Sequence, residues 1–196
     1  MISNNSTTRS HHTVNTKMIA KCSILVALLS ASSQILIPIP PNPVPINLAV
    51  VVVLLAGSLL GSYWGALSVV VYLLLGIIGL PVYSRFGTGI GHLIGPTGGF
   101  LLGYVPAAFV TGLGTYSLQG NSTHTSQVIF LAFAMLISLS IIYAVGTLMF
   151  IYTTQQSLNN SLSLTVMPFV LGDLLKITLA TILTIKLKKI NHYQYR

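Results

Sequence analysis

The chain has 196 residues, of which 53% are hydrophobic and only 5% carry a charge, and its mean hydropathy is +0.85. Soluble globular domains carry about 25% charged residues, so this composition indicates an integral membrane protein and excludes a large soluble catalytic domain. Nine Lys and Arg residues against one acidic residue give a net charge of +8. Because the cations lie mainly near the two ends of a hydrophobic chain, they indicate cytoplasmic ends rather than binding to nucleic acid.

The chain begins with a polar segment, residues 1–16, that is rich in Asn, Ser, Thr and His and has no apolar run. Such a segment buries too little apolar surface to fold, so we expect a disordered cytoplasmic tail. The first apolar run covers residues 19–37 and has Lys17 and Lys21 at its start. A signal peptide shares this basic start, but the long polar leader and the continued apolar run favour a retained span.

Residues 37–45 contain five prolines, which forbid helix and favour an extended, stiff loop. Two apolar runs follow at 46–60 and 63–80, and the very short link between them predicts an antiparallel pair of helices. Gly57, Gly61 and Gly65 recur at every fourth position, a spacing typical of close helix packing in lipid.

Residues 81–99 interrupt the apolar pattern with Arg85, His92 and two glycine clusters, which predicts a long loop or a re-entrant segment. Three more apolar runs follow, separated by polar links at 119–127 and 153–163. They cover residues 100–118, 128–152 and 164–187. The sequence therefore predicts an all-α integral membrane bundle of six transmembrane helices.

Most of the cations flank the termini: Arg9, Lys17, Lys21, Lys186, Lys188, Lys189 and Arg196. An even number of spans puts both termini on one side of the membrane, and the positive-inside rule makes that side cytoplasmic. We thus expect a multi-pass protein of the cell membrane with three parts. These are the tail at 1–16, a six-helix membrane domain at 17–189 and a basic cytoplasmic tail at 190–196.

Chemistry at membrane depth is predicted at Asp173, the one acidic residue, and at Lys176. A spacing of three residues places both side chains on one face of a helix. Ionisable groups inside the membrane are costly and often mark a pathway or a ligand site. A self-satisfied ion pair that only holds the helix in place is the alternative interpretation.

Other chemistry has weaker support in the sequence. The glycine clusters at 87–91 and 95–99 match neither a dinucleotide fingerprint nor a phosphate loop. Acid–base catalysis by two carboxylates is excluded, and the Gly-x-Ser-x-Gly elbow of serine hydrolases is absent. An intramembrane enzyme that uses a Ser with His92 stays open. No metal site is expected, because the other histidines lie in polar tails or links and Cys22 is the single cysteine.

Several motifs, in this order, resemble the BioY family, the biotin-binding S-components of energy-coupling factor (ECF) vitamin transporters. The resemblance covers most of residues 20–187. Its motifs are Gln34-Ile-Leu-Ile-Pro-Ile-Pro-Pro-Asn-Pro-Val-Pro45, Leu55-Ala-Gly-Ser-Leu-Leu-Gly61, Gly65-Ala-Leu-Ser68, Tyr72-Leu-Leu-Leu-Gly76, Gly79-Leu-Pro-Val82, Gly95-Pro-Thr-Gly-Gly-Phe-Leu-Leu-Gly103 and Leu171-Gly-Asp-Leu-Leu-Lys176.

The resemblance implies a six-helix subunit that captures biotin outside and passes it to one membrane coupling protein and two ATPase subunits. It implies no enzyme activity and no cofactor, biotin being the transported ligand. Ala27 and Ala31 match a family motif that docks the coupling protein. We expect the ligand-binding residues to be Asp173, Lys176, Arg85, Gln34, Tyr72, Thr97 and Asn47, of which Asn47 and Arg85 lie where this sequence departs from the family pattern.

Biotin also suits the chemistry of these residues, since an apolar bicycle with ureido N–H donors and a carboxylate needs an apolar pocket, an acceptor and a cation. Two alternatives remain besides biotin uptake. One is the intramembrane enzyme, and the other is a subunit or carrier for another small vitamin or anion.

Overall fold

The structure is a computed structural model and describes residues 16–37, 45–115 and 124–193. Within these ranges the chain forms eight α-helices. They are α1 (Thr16–Ser32), α2 (Ala49–Leu60), α3 (Ser62–Ile77), α4 (Ile90–Ile94), α5 (Gly98–Thr115), α6 (His124–Thr154), α7 (Leu158–Thr165) and α8 (Val170–Tyr193). Most of the predicted N-terminal tail and the proline segment at 38–44 lie outside the described residues, whereas α8 continues through 190–193.

The helix formed by the first predicted apolar run is shorter than the run itself. Helix α1 stops at Ser32, and Leu36–Ile37 (β1) pairs antiparallel with Ile46–Asn47 (β2). Extended backbone is favoured here because a residue that precedes proline is pushed out of the helical region. The resulting two-stranded ribbon connects α1 to α2.

Helices α2 and α3 form the predicted antiparallel pair, joined at Gly61 with φ at 84°. The other two glycines of the motif allow close packing. A Cβ on Gly57 would collide with the carbonyl oxygen of Ala108 in α5, and a Cβ on Gly65 would collide with the Gly57 backbone. Helix α5 therefore packs directly on α2, and it also contacts α3 and α6.

The segment between α3 and α5 is a loop, as predicted, that contains one short helix. A single 3-10 turn at Ser84–Phe86 precedes α4, and three residues separate the end of α4 from the start of α5. Backbone bonds between Tyr83 and Gly87, both 3.2 Å long, close the turn at its base.

The second half differs from the prediction in two places. The polar link predicted at 153–163 contains α7, whose first turn is capped by Ser157 accepting from the backbone N–H of Asn160. The run predicted as one span at 164–187 is broken after Thr165, and the two helices meet at 48°. Pro168 lies in the break; it has no N–H to donate and its ring clashes with the preceding turn of a helix.

Two helices of the described residues are long and apolar enough to cross a membrane, at Gly98–Thr115 and Thr125–Thr154, and the bent pair α7 and α8 adds a third if it forms one span. Helices α2 and α3 are apolar but shorter. The described fold thus supports a membrane protein by length and composition, and the count of six spans stays a prediction.

A candidate ligand-binding site

A cavity of about 230 Å³ lies between α2, α5, α6, α8 and the Arg85 loop. Its buried end carries Asp173 and Lys176, which are only 4% and 7% exposed. Arg85, on the loop, is exposed and also lines the cavity. The cavity therefore runs from a buried pair of opposite charges to a cation near the surface.

The buried end is a hydrogen-bonded group of three side chains. Lys176 Nζ donates to Asp173 Oδ1 at 2.6 Å, in the arrangement that the spacing predicts. The hydroxyl of Tyr143, on α6, donates to Asp173 Oδ2 at 2.5 Å. Each carboxylate oxygen thus accepts one hydrogen bond, and these bonds offset part of the free-energy cost of burying the charge.

Lys176 keeps donors for a further partner. An ammonium group has three N–H donors. Among the described residues, Nζ donates to Asp173 alone. Since Lys176 lines the cavity, the remaining donors are available to an acceptor placed there.

The walls between the two ends are largely apolar and aromatic. They are formed by Val50, Phe100, Leu101, Tyr104, Ile142 and Phe169. A largely apolar lining with a few polar groups is typical of sites for small organic ligands.

The outer end is polar and is formed by loops and helix starts. Asn47, Thr97 and Arg85, which are predicted as ligand-binding residues, all line the cavity. Asn47 has a second task, since its amide nitrogen donates to Ser84 Oγ at 2.9 Å and its oxygen accepts from the Ala49 N–H at 2.7 Å. This side chain therefore connects the start of α2 to the Arg85 loop.

Two residues expected at the ligand lie outside the cavity. Tyr72 is fully buried, with its hydroxyl 2.8 Å from the Ser33 hydroxyl and 3.2 Å from the Val82 carbonyl oxygen. Gln34 lies against the Arg85 loop and bonds to its backbone. The structure thus places both residues behind the loop, and neither lines the cavity.

The loop rests on a buried tyrosine. The Tyr83 ring packs on Gly76, where a side chain would collide with it, and the Tyr83 hydroxyl donates to the Leu73 carbonyl oxygen at 2.6 Å. Burial raises the pKa of Tyr83, which keeps the hydroxyl a neutral donor.

The residues expected to dock a partner lie on a different face of the molecule. Ala27 and Ala31 are exposed on α1. Ala27 also lines an apolar groove between α1 and α3, whose opposite wall includes Trp64 and Leu67. This groove shares no lining residue with the cavity.

Geometry gives no support to the enzyme alternative. His92 lines the cavity, and its ring lies beside the Tyr83 ring at a centroid distance of 5.9 Å. Within the described residues, no serine hydroxyl bonds to its imidazole, so the hydrogen-bonded nucleophile and base of a hydrolase are not assembled there.

Sequence reasoning missed several residues of the site. Tyr143, Tyr104, Thr165 and Phe169 line the cavity but lie in or beside apolar runs without a motif. A tyrosine inside an apolar span usually has a hydrogen-bond partner for its hydroxyl, and this was the one available indication. The sequence does not identify that partner.

A hydrophobic helical chain that encloses a partly polar cavity, with ionisable groups at its buried end, belongs to the class of integral membrane proteins that bind small ligands. Comparison with known proteins identifies the family within this class. The BioY family model matches residues 5–193, so the chain belongs to the BioY family. Membership places it among transport proteins and not among enzymes.

Curated relatives extend over nearly the whole chain. The biotin transporter BioY of Thermotoga maritima is 34% identical over 174 residues, which covers 89% of this chain and 97% of the relative. The probable biotin transporter BioY of Pyrococcus horikoshii is 34% identical over 172 residues, covering 88% and 96%.

Solved structures show the same fold. The crystal structure of the S-component for biotin from an ECF-type ABC transporter aligns with a TM-score of 0.79 and 26% identity, covering 96% of this chain and 95% of that one. The S-component of a bacterial ECF transporter aligns with a TM-score of 0.56 at 18% identity, which shows likeness of fold alone.

Proposed function

We propose that this chain is the substrate-binding membrane subunit for biotin uptake, which captures biotin from outside and releases it inside when coupled to an ATPase module. The observation that carries the proposal is the buried Asp173–Lys176 pair, which faces an apolar cavity whose outer end carries Arg85.

The ends of the cavity match the polar groups of biotin. The carboxylate of Asp173 accepts from the ureido N–H groups, and the free donors of Lys176 bond to the ureido carbonyl. Arg85 pairs with the carboxylate of the valeryl chain, and the aromatic walls cover the apolar bicycle. Asn47 and Thr97 add polar contacts at the outer end.

The membrane arrangement belongs to the same proposal. Helices α1, α2, α3, α5 and α6, together with the bent pair α7 and α8, form six spans of the cell membrane, with both termini in the cytoplasm. The cations near both ends support this orientation. The Arg85 loop then lies outside, and the parts are a tail at 1–16, a membrane domain at 17–189 and a basic tail at 190–196.

Transport requires partners in this proposal. The relative solved as an S-component for biotin comes from an ECF-type ABC transporter, which supports an ECF coupling protein and ATPase subunits as partners. Exposed Ala27 and Ala31, beside the groove between α1 and α3, form the docking surface for the coupling protein. Small residues of this kind permit close contact between helices in lipid.

Calorimetric titration of the purified chain in lipid nanodiscs tests the proposal. Biotin should bind saturably at one site, and Asp173→Asn should weaken the binding strongly, whereas riboflavin and thiamine should not bind. Binding of another vitamin with no response to biotin would end the substrate assignment. Mass spectrometry of the small molecule that copurifies with the protein gives an independent answer.

A further inference from the structure

The loop that carries Arg85 adopts a backbone conformation that it would not hold by itself. Arg85 and Phe86 are consecutive non-glycine residues with φ values of 59° and 56°, both in the left-handed region. Such conformations cost free energy and persist only where the surroundings hold them. Packing of these two side chains does not stabilise the conformation, since Phe86 is 70% exposed and Arg85 is also exposed.

The base of the turn is fixed to the body of the protein. Two backbone hydrogen bonds join Tyr83 to Gly87, and the buried Tyr83 side chain is bonded to α3 through the Leu73 carbonyl oxygen. A further bond, from the Gly87 N–H to the Ser84 carbonyl oxygen at 3.2 Å, lies within the turn, but none of these contacts involves the backbone N–H of Phe86.

Asn47 bonds to the Ser84 side chain of this turn, and the backbone of the tip is held by the side-chain amide of Gln34, which follows the end of α1. Gln34 Nε2 donates to the carbonyl oxygen of Tyr83 at 2.9 Å and to that of Val82 at 3.2 Å. Gln34 Oε1 accepts from the backbone N–H of Phe86 at 2.9 Å. A single planar amide thus bridges the two sides of the left-handed turn and uses both its donor and its acceptor to do so.

We infer that Gln34 is a positioning residue, which clamps the left-handed turn so that Arg85 stays at the outer end of the cavity. Gln34 itself does not line the cavity, so its effect on a ligand passes through the turn. The inference rests on the proposed function in one respect, namely that the carboxylate of biotin is the group that Arg85 meets.

The clamp has a consequence that requires no ligand. Arg85 is a trypsin site, and trypsin needs a chain that can open into its cleft. In the full-length protein in nanodiscs, Gln34→Ala should speed cleavage after Arg85 severalfold while leaving the melting temperature nearly unchanged. Gln155→Ala is the matched control, because Gln155 also bonds a nearby carbonyl oxygen, that of Tyr152, but lies on an exposed turn after α6. An unchanged cleavage rate in Gln34→Ala at an unchanged melting temperature would overturn the clamp.

Ligand binding by the Gln34→Ala variant distinguishes a positioning role of Gln34 from a general contribution to the stability of the fold. Gln34→Ala should weaken biotin binding by roughly tenfold, mainly through faster dissociation, since it removes hydrogen bonds that fix the loop. Affinity for biotin methyl ester, which has no charge for Arg85 to meet, should stay within about twofold of the unmodified chain. In an Arg85→Ala background, Gln34→Ala should add nothing further.

The outcomes are distinguishable. Equal losses for biotin and its methyl ester, or additive losses in the double variant, would show that Gln34 supports the fold and does not position Arg85. Failure of the unmodified chain to bind biotin would refute the proposed function and the role of Arg85 in it, while the cleavage experiment would still decide whether Gln34 clamps the turn. Gln34→Glu provides a second variant, since it keeps the acceptor for Phe86 but places a carboxylate oxygen against the carbonyl oxygens of Tyr83 and Val82, and it should raise the cleavage rate at least as much as Gln34→Ala.

Discussion

Among single residues, the buried end of the cavity depends on two hydrogen bonds donated to one carboxylate. Asp173 receives one from Lys176 and one from Tyr143, and the three groups come from two different helices. Removing one partner from such a group leaves the others desolvated without compensation, which costs more than the original pair contributes. Variants of single members are therefore expected to differ from variants of the whole group.

The first prediction concerns the ion pair. Asp173→Asn and Lys176→Met should each lower the melting temperature and abolish measurable biotin binding, since each leaves an uncompensated partner at a cost of about 3 to 5 kcal/mol. The double variant should regain much of the stability and still fail to bind. It lacks charge-assisted bonds to the ligand, each contributing roughly 1.5 to 3 kcal/mol.

Affinity and melting temperature measured on all three variants decide between the two interpretations of the pair. A stable double variant that binds biotin as the unmodified chain does would show that the pair only holds α8 in place. Single variants of normal stability would instead contradict the argument from burial.

The second prediction concerns Tyr143. Its hydroxyl orients the Asp173 carboxylate but carries no charge, so Tyr143→Phe should weaken biotin binding by about tenfold, the effect of losing roughly one hydrogen bond. The melting temperature should fall only slightly. Tyr152→Phe is the control on the same helix, since Tyr152 is 79% exposed. Equal affinities of the two variants for biotin would remove Tyr143 from the site.

Among the helices, α1 has one buried face and one exposed face. Leu25, Val26 and Leu29 are buried against the bundle, whereas Ala27 and Ala31 are exposed. A helix that shows small residues on its exposed face can accept a second helix at close range in lipid. Assembly and ligand binding should therefore respond separately to changes on α1.

The third prediction tests this separation. Ala27→Leu or Ala31→Leu should weaken copurification with the coupling protein, because the larger side chain fills the space for a partner helix, and should leave biotin affinity nearly unchanged. Ala144→Leu, at an exposed alanine of α6, is the matched control and should disturb neither property. Loss of biotin binding with assembly retained would mean that this face of α1 serves the ligand site.

Helix positions follow from the sequence wherever an apolar run is long, as at α2, α3, α5 and α6. Helix α7 could not be predicted in this way, because its polar sequence resembles a link and its first turn depends on the cap at Ser157. Pro168 breaks helices and so indicates a break before α8, but the residues on both sides of it are apolar, and this pattern favours one continuous span. The Asp173–Lys176 contact follows from helical spacing alone, whereas the position of Gln34 depends on how the Arg85 loop folds back onto the end of α1.

In the molecule as a whole, the cations are unevenly distributed along the chain. Arg85 and Lys176 are the two cations distant from the termini, and both line the cavity. The other basic residues are concentrated near the ends of the chain, and in the proposed arrangement they keep those ends in the cytoplasm. A biotin molecule would then enter from the opposite side, past Arg85.

The fourth prediction tests this orientation by cysteine labelling in intact cells. Cys22→Ser removes the single cysteine, after which Gln156→Cys and Lys17→Cys each provide one exposed site. A membrane-impermeant maleimide should label Gln156→Cys in intact cells and should label Lys17→Cys only after permeabilisation. Labelling of both from outside, or the reverse pattern, would contradict six spans with cytoplasmic termini.

The break at Pro168 also has an electrostatic consequence. Because α7 ends before it and α8 begins anew at Val170, Asp173 lies in the first turn of a helix and not in the middle of a continuous one. The aligned peptide dipoles give the start of α8 a partial positive charge, which stabilises a nearby carboxylate by about 0.3 to 1 kcal/mol, and by up to about 2 kcal/mol in partly buried geometries. The kink thus supplies a local positive potential for the one carboxylate side chain of the protein, which is buried and has little access to water.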